Sequence, residues 1–206
     1  MIVLLTQELF SREFDKRYYL CSLTYPHGRK SFLLGRFLAL LVLFLGLLLA
    51  LALLQVGLTR FLEGIYPQAT VVDMGQSFLI VIAFIALDLL VLAALATLLA
   101  IVASTPSFVL IGTFGFMLVA RSYGAIIELL GQNSGLVNSA DGYRASLGML
   151  GYVLPDLGAL DLRMLALYGK SEYLPADWLW LVLSSLTYAF ALLALAVWAL
   201  QRKRFA

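Results

Sequence analysis

The sequence predicts an all-α integral membrane protein with four transmembrane helices, and three observations carry that prediction. Hydrophobic residues make up 63% of the 206-residue chain and charged residues only 13%, roughly half the charge of an average soluble domain. A soluble chain of this length has no core large enough to hide so much apolar surface. Four stretches reach the about 20 mostly apolar residues that a crossing requires. Lys and Arg, finally, gather before the first of these stretches and after the last. The chain reads as a single transmembrane domain over residues 1–206.

The elements follow in order. Residues 1–5 are apolar but too few, and without a basic flank or cleavage site, to read as a signal peptide. Residues 7–24, QELFSREFDKRYYLCSLT, place Phe10, Phe14, Arg17 and Cys21 at helical spacing, with Arg12, Asp15 and Lys16 on the other side. That is an amphipathic surface helix, continuous by pattern with residues 1–9 because no Gly or Pro intervenes before Pro26. Residues 32–58 form the first span and residues 77–103 the second. Ser104-Thr105-Pro106 is a very short turn, so the third span, 107–130, forms an antiparallel hairpin with the second. Residues 131–177 carry apolar residues at near-helical spacing over 143–153 and 160–168, broken by Pro155 and Gly158. Two short amphipathic helices lying on or dipping into the outer leaflet are expected there, serving either as a cap or in substrate passage. The last span is 178–200, with Trp178, Trp180 and Trp198 toward its ends, where interfacial aromatics collect.

Orientation follows from the basic residues. Arg12, Lys16, Arg17, Arg29 and Lys30 precede the first span, Arg36 stands in its first turns, and Arg202-Lys203-Arg204 follow the last; the two long loops hold Arg60, Arg144, Arg163 and Lys170. Nine against four places both termini in the cytoplasm, and the bacterial inner membrane is the expected location.

Three ionisable residues fall inside the spans: Asp88, Arg121 and Glu128. A charge at the bilayer centre costs about 2.5–3.5 kcal/mol on insertion scales, so such residues face the bundle and pair. Asp88 and Arg121 sit about 16 and 15 Å from the outer ends of neighbouring hairpin helices, which predicts a pair. Glu128 lies on much the same face nearer the surface, within expected reach of water or Arg60. The pair is read either as a register lock or as a polar element of a translocation path. Gly112, Gly115 and Gly124 allow another helix to approach closely, in a dimer seam or within the chain.

Several classes are excluded by pattern. No G-x-x-x-x-G-K-[ST] motif is present, so ATP hydrolysis by this chain is not expected. His27 is the sole histidine and Cys21 the sole cysteine, which leaves no triad, metal cluster or intrachain disulfide. No enzymatic activity, cofactor, metal or nucleic-acid partner is expected.

The run REFDKR followed by YLCSLTYPHGRKSFLLGRFLA resembles the cytoplasmic coupling segment of ABC-2 type transporter permeases. The nearest branch is that labelled multi-copper enzyme maturation permease, NosY-like. Leu154-Pro155-Asp156-Leu157 and Asp161-Leu162-Arg163 look like the same branch. The resemblance implies a permease subunit that couples ATP hydrolysis by a separate ATPase to export or translocation of an unspecified substrate, as a dimer with a second copy or a homologue. It implies ATPase coupling through residues 7–31, with Phe10, Arg12, Phe14, Lys16, Arg17, Cys21 and Pro26 at the contact. Permeases of this type have six spans, with the coupling segment between the second and third, so the expectation is a chain lacking the first two. Read from its residues alone, the same stretch is also a basic helix on anionic lipid, and the alternative function is a non-transporting four-span scaffold or assembly factor.

Overall fold

The computed structural model describes residues 29–65, 74–103, 105–132, 155–168 and 174–202. These form α1 (Arg29–Glu63), α2 (Gln76–Val102), α3 (Pro106–Gln132), α4 (Arg163–Tyr168) and α5 (Trp178–Arg202), with no strand among the described residues. Four of the five are long and apolar enough to cross a membrane. The helices agree with the expected spans to within about two residues, apart from α1, which extends beyond 32–58 at both ends. At about 1.5 Å per residue α1 is roughly 52 Å long, well over the ~30 Å hydrocarbon core.

Local chemistry sets the ends. The Ala103 N–H donates to the Leu99 carbonyl at 2.7 Å and closes α2. Pro106 opens α3 as its first residue, a position where the missing N–H has no intrahelical acceptor to lose. Its part in the turn is therefore to start the third helix as much as to stop the second. The Trp178 N–H donates to the Pro175 carbonyl at 3.1 Å at the start of α5.

α2 is the centre of the bundle. It packs against α1, α3, α4 and, most extensively, α5. The reason lies in side-chain size: Ala93, Ala94, Ala96 and Ala100 are buried on α2, and α5 answers with the stripe Ser185, Ala189, Leu192, Ala196 and Leu200. Small residues let two backbones close where lipid offers no hydrophobic drive between helices. Hydroxyls in this setting bond back to their own helix, Thr97 Oγ1 to the Ala93 carbonyl and Thr113 Oγ1 to the Val109 carbonyl, both at 2.7 Å, which satisfies them without a partner helix.

α1 joins by half its length. Leu33, Phe37, Leu40 and Phe44 form its buried stripe, and no described α1 side chain beyond Phe44 is buried. Past that point α1 and α2 part and leave a cleft of about 330 Å³. α3 packs on α2 through Val109, Thr113 and Ala120, stacks Phe116 on Tyr188 of α5 with ring centroids 6.1 Å apart, and leaves Phe108, Ile111, Phe114 and Leu118 exposed.

The segment before α4 is where the sequence reading needs refinement. The helix covers Arg163–Tyr168 only; residues 155–162 form successive turns, with the Asp161 N–H donating to the Gly158 carbonyl at 3.1 Å. Leu157, Leu160, Leu162 and Leu165 are buried, so this stretch is packed into the bundle through its leucines. The other expected surface helix, 143–153, and the amphipathic segment 7–24 lie outside the described residues.

Candidate functional site

The polar centre of the bundle is built where α2, α3 and the turns before α4 meet. From the α2–α3 turn, Asp88 is 14 residues back from Val102 and Arg121 is 15 residues on from Pro106. At about 1.5 Å per residue both stand roughly 21–22 Å along their helices from that turn. Equal height makes contact possible, and Arg121 Nη2 donates to Asp88 Oδ2 at 2.5 Å.

The two partners are unequally sheltered. The Asp88 side chain is 10% exposed and that of Arg121 46%. The second Asp88 oxygen, Oδ1, is buried and has no hydrogen-bond partner among the described residues. A lone buried acceptor is costly, so the site holds one satisfied and one unsatisfied carboxylate oxygen side by side. The geometry fixes α2 against α3 at this height.

The turns before α4 complete the surroundings. Two glycines admit them: a Cβ at Gly158 would stand 2.9 Å from the Arg121 carbonyl oxygen, and one at Gly124 would stand 2.8 Å from Asp156 Oδ2. The Asp156 carboxylate also accepts the Ala159 N–H at 3.1 Å. Just beyond, Asp161 and Arg163 form a two-pronged pair, Nε to Oδ1 at 2.7 Å and Nη2 to Oδ2 at 2.5 Å. Hydrogen bonding from the Arg163 side chain holds the Asp161 carboxyl below the usual carboxylate range. These residues form a second charged layer, exposed where the first is sheltered.

The expected site residues are placed as follows. Asp88 and Arg121 are brought together. Glu128 lies in α3, with its side chain outside the described ones. Arg60, expected within reach of Glu128, pairs with Glu63 at 3.8 Å on its own helix. Phe10, Arg12, Phe14, Lys16, Arg17, Cys21 and Pro26 lie outside the described residues. Of the three α3 glycines, Gly112 meets Leu99 of α2 and Gly124 meets Asp156, both within the chain, while Gly115 has open space. Asp156, Gly158, Asp161 and Arg163 were not singled out by spacing as site residues; the signal was present in Pro155-Asp156-Leu157-Gly158, a turn sequence in which Asp bonds a backbone N–H further along. Among the described residues no group of three or more His, Cys, Asp or Glu side chains is arranged to hold a metal ion. No protein-family model, curated protein or solved structure matches the chain.

Proposed function

We propose that this chain is the membrane subunit of an ABC-2 type transport complex, driven by a separate ATPase and paired with a second copy or a homologue. The observation that carries the reading is the openness of the bundle beside its charged pair. Arg121 keeps 46% of its side chain exposed well inside α3, between Leu118-Val119-Ala120 and Ser122-Tyr123-Gly124. An arginine facing lipid at depth is expensive, and one facing another helix or a polar path is not. A helix set that presents such a group favours further spans around it. The exposed apolar faces of α1 and α3 are compatible with the same arrangement.

Charge and aromatic placement support the orientation. Arg36 lies over the Phe32 ring at 4.5 Å and Arg202 over the Trp198 ring at 4.3 Å. Both stand at the bundle end that carries the α2–α3 turn, together with Lys30. Aromatic side chains collect at either interface, but basic ones collect on the cytoplasmic side, so we assign that end to the cytoplasm of a bacterial inner membrane. The coupling segment 7–31 then lies on the ATPase side, as the resemblance of REFDKR to SFLLGR implies.

The test is co-purification. The tagged full chain, extracted from native membranes, should bring down an ATP-binding subunit. Charge reversal at Arg12 and Lys16 should release that subunit while membrane insertion is kept. Recovery of the chain without any ATP-binding protein, or loss of lipid association alone on charge reversal, supports the scaffold reading instead.

A further inference from the structure

The cleft between α1 and α2 is lined by three helical faces at once. α1 contributes Leu48, Ala52 and Gln55, α2 contributes Phe78 and Ile85, and α4 closes one side with Arg163. From Leu48 to Gln55 and from Phe78 to Ile85 is seven residues each, so both walls run about 10 Å, against ~15 Å for one leaflet of the hydrocarbon core. A volume of about 330 Å³ is at the lower end for a small-ligand site. The walls are apolar apart from Gln55 and Arg163, which suits an acyl chain and nothing more polar.

The edge of the cleft carries the recognition chemistry. The Arg163 side chain is 76% exposed and its partner Asp161 is 34% exposed, so the ion pair stands at the open side. Arg163 spends two of its five N–H donors on Asp161 and keeps three. The Asp161 carboxylate accepts from the Arg163 side chain twice and from its backbone N–H at 3.4 Å, which leaves about one of its four acceptor positions. The pair is neutral overall, with a free cationic side and a free anionic side.

We propose that this cleft binds a phospholipid with a primary-amine zwitterionic headgroup, a phosphatidylethanolamine, with one acyl chain between α1 and α2, the phosphate on Arg163 and the ammonium on Asp161. A headgroup with both charges answers both halves of the pair. A purely anionic headgroup meets the Asp161 carboxylate unfavourably, and a choline headgroup has no N–H to donate to it. A spanning helix of a partner would bury the ion pair against apolar side chains, at a desolvation cost that the lipid headgroup avoids. The proposal rests on the cleft and its edge, independently of the transport reading.

The experiment uses the full chain, delipidated by detergent exchange and reloaded from mixed micelles. Synthetic phosphatidylethanolamine, phosphatidylcholine and phosphatidylglycerol with identical acyl chains are offered separately, and lipid retained per chain after gel filtration is quantified by mass spectrometry. One phosphatidylethanolamine per chain is expected, held at least tenfold more tightly than the other two. R163Q and D161N should each remove that preference, and A52F, which fills the acyl groove, should reduce retention of all three. L49F, on an exposed face of the same helix, should change nothing. Equal retention of the three lipids, a preference for phosphatidylglycerol, or a preference that survives D161N and R163Q overturns the proposal. So does undiminished binding in A52F with helix content intact by circular dichroism.

Discussion

Breaking the Asp88–Arg121 pair from either side should have unequal consequences, because its two halves are unequally buried. R121Q removes the donor at 2.5 Å from Asp88 Oδ2 and leaves a carboxylate that is 10% exposed with neither oxygen paired among the described residues, since Oδ1 already has no partner there. Removing one member of a buried pair costs about 3–5 kcal/mol in soluble proteins, whereas interhelical hydrogen bonds in membranes average about 0.6 and reach about 1.7 kcal/mol. A charge left behind moves the case toward the upper figures, and the half-exposed partner moves it back, so about 2–3 kcal/mol is expected for R121Q. D88N keeps a neutral acceptor for Arg121 at the same position and leaves no buried carboxylate behind, so about 1 kcal/mol is expected. The double variant pairs two neutral amides and should cost about 1 kcal/mol, less than R121Q alone. The assay is reversible unfolding in mixed micelles followed by helicity, with a double-mutant cycle drawn from the four proteins. Equal costs for the two single variants, or a double variant whose cost is their sum, refutes the reasoning. Should the double variant regain stability and lose transport, the pair belongs to the moving path; should it regain both, the pair is a register lock.

Three further outcomes follow from the packing. G158A places a Cβ 2.9 Å from the Arg121 carbonyl, a backbone atom with little room to yield, and should cost about 1–3 kcal/mol; G115A, with open space, should be neutral or stabilise by up to about 1 kcal/mol, both read by thermal unfolding in detergent. L40A empties a buried position on the joined half of α1 and should cost about 2–5 kcal/mol, while L53A on the parted, exposed half should be near neutral by the same measurement. The Asp161 carboxyl is held below its ordinary value of 3.8 by Arg163, so its contribution is present above that value and is lost as pH falls through the lowered pKa. The stability difference between wild type and D161N should therefore be at most about 1 kcal/mol for so exposed a pair at pH 7 and vanish in strong acid, as measured by thermal scans across pH.

The spans were legible because their signal is long and one-dimensional: about 20 apolar residues can be counted without knowing any neighbour. The Asp88–Arg121 contact was legible for a related reason. The short turn around Thr105 fixes a common origin for α2 and α3, so height along each helix follows from residue number alone. What the sequence did not disclose depends on the third dimension. Nothing in the uniformly apolar pattern of α1 separates Leu40, which is buried, from Leu53, which is exposed, since a membrane helix is apolar against both protein and lipid. The amphipathic pattern over residues 160–168 is also compatible with a helix lying on the surface. Only the seats at Gly124 and Gly158 show these turns packed beside Arg121. Asp161, just ahead of the six-residue helix, and Arg163, its first residue, carry no sequence signal beyond their resemblance to the permease branch, because the cleft beside them exists only in three dimensions.

The proposed role as one membrane subunit of an ATPase-driven assembly is decided by native mass spectrometry of the complex released from its own membrane. A particle containing this chain, a second copy or a homologous permease, and a pair of ATP-binding subunits is expected. A particle of this chain alone, or with partners among which none binds ATP, contradicts it.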